Sequence, residues 1–89
     1  MPLWVLTPVD LADPNWEASS YRGPVMVRAP NAQKARAVAA RTFDVKTGFK
    51  PGQGLRFPPW RRAALVTVAR VHDPRFEPEG ATEVLEPSL

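Results

Sequence analysis

Three short stretches of this chain are apolar runs or alternate apolar with polar positions, and a fourth follows a helical period. Leu3-Trp4-Val5-Leu6-Thr7 is apolar and partly β-branched, and Pro8 closes it. Proline cannot donate to a sheet ladder, so the segment reads as a strand. In Val25-Met26-Val27-Arg28-Ala29, positions 25, 27 and 29 share one face and Met26 and Arg28 the other, the spacing of a second strand. Ala64-Leu65-Val66-Thr67-Val68-Ala69-Arg70-Val71 is the most β-like segment and ends at Asp73-Pro74. Between the second and third strands, Asn31 is a good helix N-cap, and Ala32 to about Phe43 is rich in strong helix formers. Ala35, Val38, Ala39 and Thr42 form its apolar stripe with Phe43 beside it. The small alanines there allow the helix to lie close to a sheet.

Punctuation residues mark the connections. Asp10 to Ser20 contains Asp13-Pro14-Asn15 turn chemistry and reads as a long loop anchored by Trp16. Residues 44–60 hold three glycines and three prolines and read as a second long loop, with a bent extended piece at Leu55-Arg56-Phe57. The chain thus divides into a single α+β domain, residues 1–72, and an acidic, proline-containing C-terminal tail, residues 73–89. Within the tail, Ala81 to Glu86 is a candidate for one short helix or strand. The predicted fold is a three-stranded, mainly antiparallel sheet in β-β-α-β order, with one helix packed on one face and long loops. If the first strand fills the gap left by the crossover, the sheet order is 2-1-3, with the first strand antiparallel to both neighbours.

Composition narrows the class. With 44% hydrophobic and 24% charged residues in 89, this is the make-up of one small globular domain and not of a disordered chain. Eleven prolines, scattered rather than repeated, exclude a long helix or coiled coil. The absence of cysteine removes disulfides, thiolate metal sites and cysteine nucleophiles, and suits a cytoplasmic protein. No basic residue precedes Arg22, so no secretory leader is expected. Apolar runs such as Ala63-Ala64-Leu65-Val66 fall far short of the roughly 20 residues that span a bilayer, so no membrane role is expected.

Charge is the uneven feature. The net +3 conceals three acids and no base in residues 1–21, then eleven bases against Asp44 alone in residues 22–70, then Arg75 against five acids in residues 71–89. Like charges crowded into one block repel, so the block gains from an anionic neighbour. The acidic ends of the same chain are one candidate neighbour. An external acidic protein surface or a nucleic acid is the other. Nine of the twelve bases are arginine, whose planar fork suits carboxylate and phosphate.

Catalytic chemistry finds little support. His72 is the one histidine, and the adjacent Asp73 points to the opposite face if both lie in a strand. One histidine and no cysteine leave a metal only carboxylates. Lys46-Thr47-Gly48 lacks the Ser-x-x-Lys companion of penicillin-binding enzymes. Pro51-Gly52-Gln53-Gly54 lacks the Gly-Lys-Ser/Thr ending of a phosphate loop. No catalytic residue, metal or cofactor is therefore assigned.

Phe57-Pro58-Pro59-Trp60-Arg61-Arg62 gathers aromatic, proline and arginine residues in one run, a composition common at binding hot spots. Trp60 is read either as a recognition anchor or, more simply, as a ring sealing the edge of a small core. The predicted partner-binding set is Arg28, Lys34, Arg41, Arg56, Trp60, Arg61 and Arg62. An acidic protein surface is slightly favoured over nucleic acid, because no RNA-binding sheet motif or helix-turn-helix is present.

The pattern Asn15-Trp16-Glu17-Ala18-Ser19, then Tyr21-Arg22-Gly23, then Val27-Arg28-Ala29, then Ala35-Arg36-x-x-Ala39 resembles a group of small uncharacterised bacterial proteins over roughly residues 3–71. The resemblance implies an α+β layout and carries no activity and no functional residue. The expectation is a small, non-enzymatic binding or adaptor protein that docks through its basic centre, and an inhibitor of phage or mobile-element origin fits the same physics. The alternative is a structural or oligomerising protein, such as a homodimer, in which the basic middle of one copy meets the acidic ends of another.

Overall fold

A computed structural model describes residues 1–43 and 59–87. Its strands are β1 (Leu3–Pro8), β2 (Val25–Arg28), β3 (Val66–Val71) and β4 (Glu83–Glu86), with one helix, α1 (Ala32–Phe43). Two single 3₁₀ turns, Pro14–Ala18 and Pro59–Arg61, sit in the connections. The sheet order is β3-β1-β2-β4. β1 is antiparallel to both neighbours, in the predicted 2-1-3 arrangement, with Trp4 opposite Val27 and Arg70, and Leu6 opposite Val25 and Val68.

The sheet has four strands and not three. Residues 83–86, read from sequence as part of a tail, pair antiparallel with β2, placing Val84 opposite Val27 and Glu83 opposite Arg28, with an irregularity between Met26 and Val27. The physical reason is the outer edge of β2. Its backbone groups would otherwise be unpaired, and Val84 extends the apolar face beside Val27. A four-residue strand bounded by two glutamates has almost no β signal of its own.

Alternation decides which side chains meet α1. Leu6, Val25, Val27 and Val66 are fully buried on that face, and Trp4, Val68 and Val84 pack at its margins. The helix answers with Ala35, Val38, Ala39, Ala40 and Phe43. Its N-terminus is capped as expected, since the Lys34 backbone N–H donates to Asn31 Oδ1 at 2.8 Å. At the other end, the Ser20 N–H donates to Phe43 O at 2.8 Å, satisfying a carbonyl that the helix leaves unpaired.

The long loop after β1 is packed by its own aromatic residue. Asp10 opens it with φ at 50°, a left-handed conformation that aspartate tolerates better than most residues. Trp16 is fully buried and meets Trp60 edge-on at 5.4 Å, and Phe43 lies 5.6 Å from Trp60 and 5.1 Å from Tyr21. A chain of four rings thereby joins both loops to the end of α1. Ser19 is its polar hinge: Oγ accepts from Trp60 Nε1 at 2.9 Å and donates to Tyr21 O at 2.6 Å.

The second sheet face is crossed by residues 72–82. Leu3 is buried there, and Met1 donates its amino group to Pro78 O at 2.6 Å. Phe76, within this crossing, lines an open cleft of about 450 Å³ with Pro2, Leu3 and Val71.

Candidate anion-docking face

The structure divides the predicted contact residues into two groups. Arg28 and Trp60 belong to the interior. Arg28 is 9% exposed and lies on the face opposite α1, where Nε donates to Glu77 O at 3.0 Å and Nη1 to Glu83 Oε1 at 3.0 Å. Its charge is thus satisfied within the chain, and it is corrected from a partner contact to a clasp holding the 72–82 crossing and β4 to the sheet. The cause is register: position 28 ends β2 directly opposite Glu83, a neighbour that a three-stranded sheet does not supply. Trp60 is fully buried with its indole N–H satisfied by Ser19, so it seals the core and presents no ring to a partner.

Lys34, Arg41, Arg61 and Arg62 are exposed. Lys34 and Arg41 share one stripe of α1 with Ala37, at i, i+3 and i+7. The 3₁₀ turn Pro59–Arg61 packs beside α1 because Trp60 is drawn into the core, and this brings Arg61 to the helix. Lys34, Arg61, Arg36, Gln33 and Ala37 line one open cleft of about 400 Å³. Arg56 lies outside the described residues, as does the extended piece expected at 55–57.

Arg36 was not among the predicted contacts, yet it forms the wall of this cleft. It borders the buried stripe at Ala35 and Ala39, so its aliphatic stem follows apolar surface while its head reaches β3. Nη2 donates to Val66 O at 2.9 Å, whereas Nη1 is shielded from solvent with no hydrogen-bond partner. Burial lowers the pKa of this guanidinium from its ordinary value, although arginine remains charged in proteins. The signal in the sequence was available: an arginine at the margin of an alanine stripe has to lay its stem along the core.

The acids are engaged elsewhere. Asp73 and Glu86 both pair with Arg75, at 2.7 and 3.3 Å, and Glu83 pairs with Arg28. The hydrogen bond from Arg75 holds the Asp73 carboxyl below the usual carboxylate range, with a backbone hydrogen bond from the same residue adding to it. Among the described residues, no carboxylate lines the α1 cleft and no ion pair involves Lys34, Arg36, Arg41 or Arg61. Arg75 and Arg28 offset two of the five negative charges of residues 71–89, and they do so away from the helix face.

His72 is exposed at the end of β3, and its neighbour Asp73 is occupied by Arg75. Among the described residues, no three His, Cys, Asp or Glu side chains gather as a metal site, and no helix is long and apolar enough to cross a membrane.

No protein-family model matches the chain, and no curated protein or solved structure is significantly similar to it.

Proposed function

We propose that this protein is a non-enzymatic docking module that binds the acidic surface of another protein through the face formed by Lys34 and Arg41 of α1 and the adjoining Arg61. The observation that supports this reading is the cleft in which Lys34, Arg36 and Arg61 converge with no carboxylate of the described residues lining it. Convergent cations repel in the free protein, and an anionic partner relieves that repulsion. A protein partner is preferred to nucleic acid because stacking on single-stranded bases needs open aromatic faces. Here Trp16, Phe43 and Trp60 are buried, and Phe76 lies by the opposite sheet face. Head-to-tail association of copies would have Glu77 and Glu79 to draw on, because Asp73, Glu83 and Glu86 already hold intramolecular arginines.

Fluorescence anisotropy with a labelled polyglutamate peptide and a labelled DNA duplex tests the reading. The peptide should bind, its affinity should fall as salt rises, and Lys34→Glu with Arg61→Glu should weaken it at least about tenfold, or about 1.4 kcal/mol. Duplex binding tighter than peptide binding would move the assignment to nucleic acid. A salt-insensitive dimer seen by light scattering, with no binding of either probe, would move it to self-association.

A further inference from the structure

We infer that the cleft between α1 and the Pro59–Arg61 turn is a discrete oxyanion pocket, which seats a single carboxylate or phosphate group among Lys34, Arg36 and Arg61. The inference rests on the docking face described above for its location, and it goes further by assigning one chemical group and one central residue. Electrostatic attraction at a charged face needs no defined pocket, whereas this cleft has a volume of about 400 Å³ and, in its wall, an arginine with one unmatched donor.

Arg36 carries the argument. Exposed arginines donate all five N–H groups to water, but Arg36 is partly buried and gives Nη2 to a carbonyl, Val66 O. Nη1 is shut away from solvent and donates to nothing. A buried donor without a partner costs stability, and native proteins rarely keep one without a use. The opposing wall supplies cations rather than the carboxylate that would complete an internal pair. The described residues supply no further acceptor, so the arrangement suits one brought by a ligand. An oxyanion provides it, because carboxylate and phosphate oxygens accept two parallel bonds from one guanidinium. Lys34 and Arg61, on flexible exposed stems, close on the remaining oxygens. Nη1 is reached when the guanidinium turns from Val66 O toward the cleft, a rotamer change of the kind common at binding surfaces.

The lining is also suited to a charged group, since only Ala37 contributes a purely apolar side chain to the cleft. An acidic side chain projecting from a partner surface enters such a cleft end-on. So does a phosphate monoester.

The test uses the full chain in solution with inorganic phosphate and, separately, glutarate. Titration is followed by NMR at the Nε–Hε signals of Arg36 and Arg61, with Arg22 and Arg70 as controls at constant ionic strength. The expected result is a saturable shift at Arg36 and Arg61 and none at the controls. Arg36→Met should reduce the affinity read at Arg61 at least tenfold. If Arg36→Met does not fold, Arg61→Glu, read at Arg36, replaces it, since Arg61 is exposed. Tighter glutarate than phosphate binding assigns the group to a carboxylate, and the reverse assigns it to a phosphate. Linear shifts of similar size at all four arginines, or affinity unchanged in the variant, would overturn the pocket. Polyglutamate binding that survives Arg36→Met would then leave the docking face standing without it. Saturable small-anion binding with no polyglutamate binding would keep the pocket and remove the docking role.

Discussion

Arg28 links the sheet to the C-terminal crossing, and replacing it with methionine measures that link. Methionine keeps the length and much of the apolar stem of arginine but removes its donors. Two hydrogen bonds of 3.0 Å disappear, to Glu77 O and Glu83 Oε1, together with a longer approach to Ala81 O at 3.5 Å. A hydrogen bond to a charged group contributes about 1.5–3 kcal/mol when shielded. The side chain of Glu83 is 52% exposed, so the ion-pair part is held to the scale of surface pairs, below about 1 kcal/mol. Methionine recovers some burial, and the net loss comes to about 2 kcal/mol.

In a domain of this size, 1 kcal/mol moves the melting temperature by about 4–8 °C, so Arg28→Met should melt about 8–16 °C lower by circular dichroism. Hydrogen exchange at Val84 and Glu86 should accelerate about thirtyfold, the factor equivalent to 2 kcal/mol, because β4 loses its side-chain tether. Glu83→Gln should cost under about 1 kcal/mol. The Arg28 deficit should persist in 1 M salt, since backbone carbonyls supply part of the clasp and screening acts mainly on exposed charges. A variant melting within about 2 °C of the wild type, with β4 exchange unchanged, would refute the clasp.

Other consequences are equally direct. Ser19→Ala removes the acceptor of the buried Trp60 N–H, and urea denaturation should show a loss of about 1–3 kcal/mol. Gly80 has φ at +136°, and a Cβ there would run into the Arg28 guanidinium, so Gly80→Ala should lower stability by about 1–3 kcal/mol in the same assay. Asp73 is depressed by its hydrogen bond from Arg75, so its contribution is present above the unfolded carboxylate value and lost as pH falls through its lower folded value. Asp73→Asn should therefore weaken the protein at pH 7 and flatten the acid limb of the stability curve below about pH 4. Lys34→Glu with Arg61→Glu removes no side-chain hydrogen bond among the described residues and should stay within about 0.5 kcal/mol of the wild type in stability, confining its effect to binding.

Local signals were enough for the elements whose chemistry is self-contained. The alternation around Val25 and Val27, the Asn31 cap with its alanine-rich helix, and the β-branched run at Val66–Val71 each state their own geometry in contiguous residues. Trp16 was readable as a loop anchor because a large ring in a short domain has few places to go.

What the tertiary structure decided was partnership. Glu83–Glu86 becomes a strand because β2 offers an unpaired edge, and nothing in Glu-Val-Leu-Glu announces that edge. Arg28 and Lys34 carry the same charge in the same basic block, yet one faces Glu83 across a ladder and the other faces water. Arg36 and Arg61 are 25 positions apart and meet only because Trp60 is drawn into the core beside α1. Charge and propensity are properties of single residues and short windows. Whether a charge is neutralised depends on distances of a few ångströms between remote positions, and those exist only after the sheet has closed.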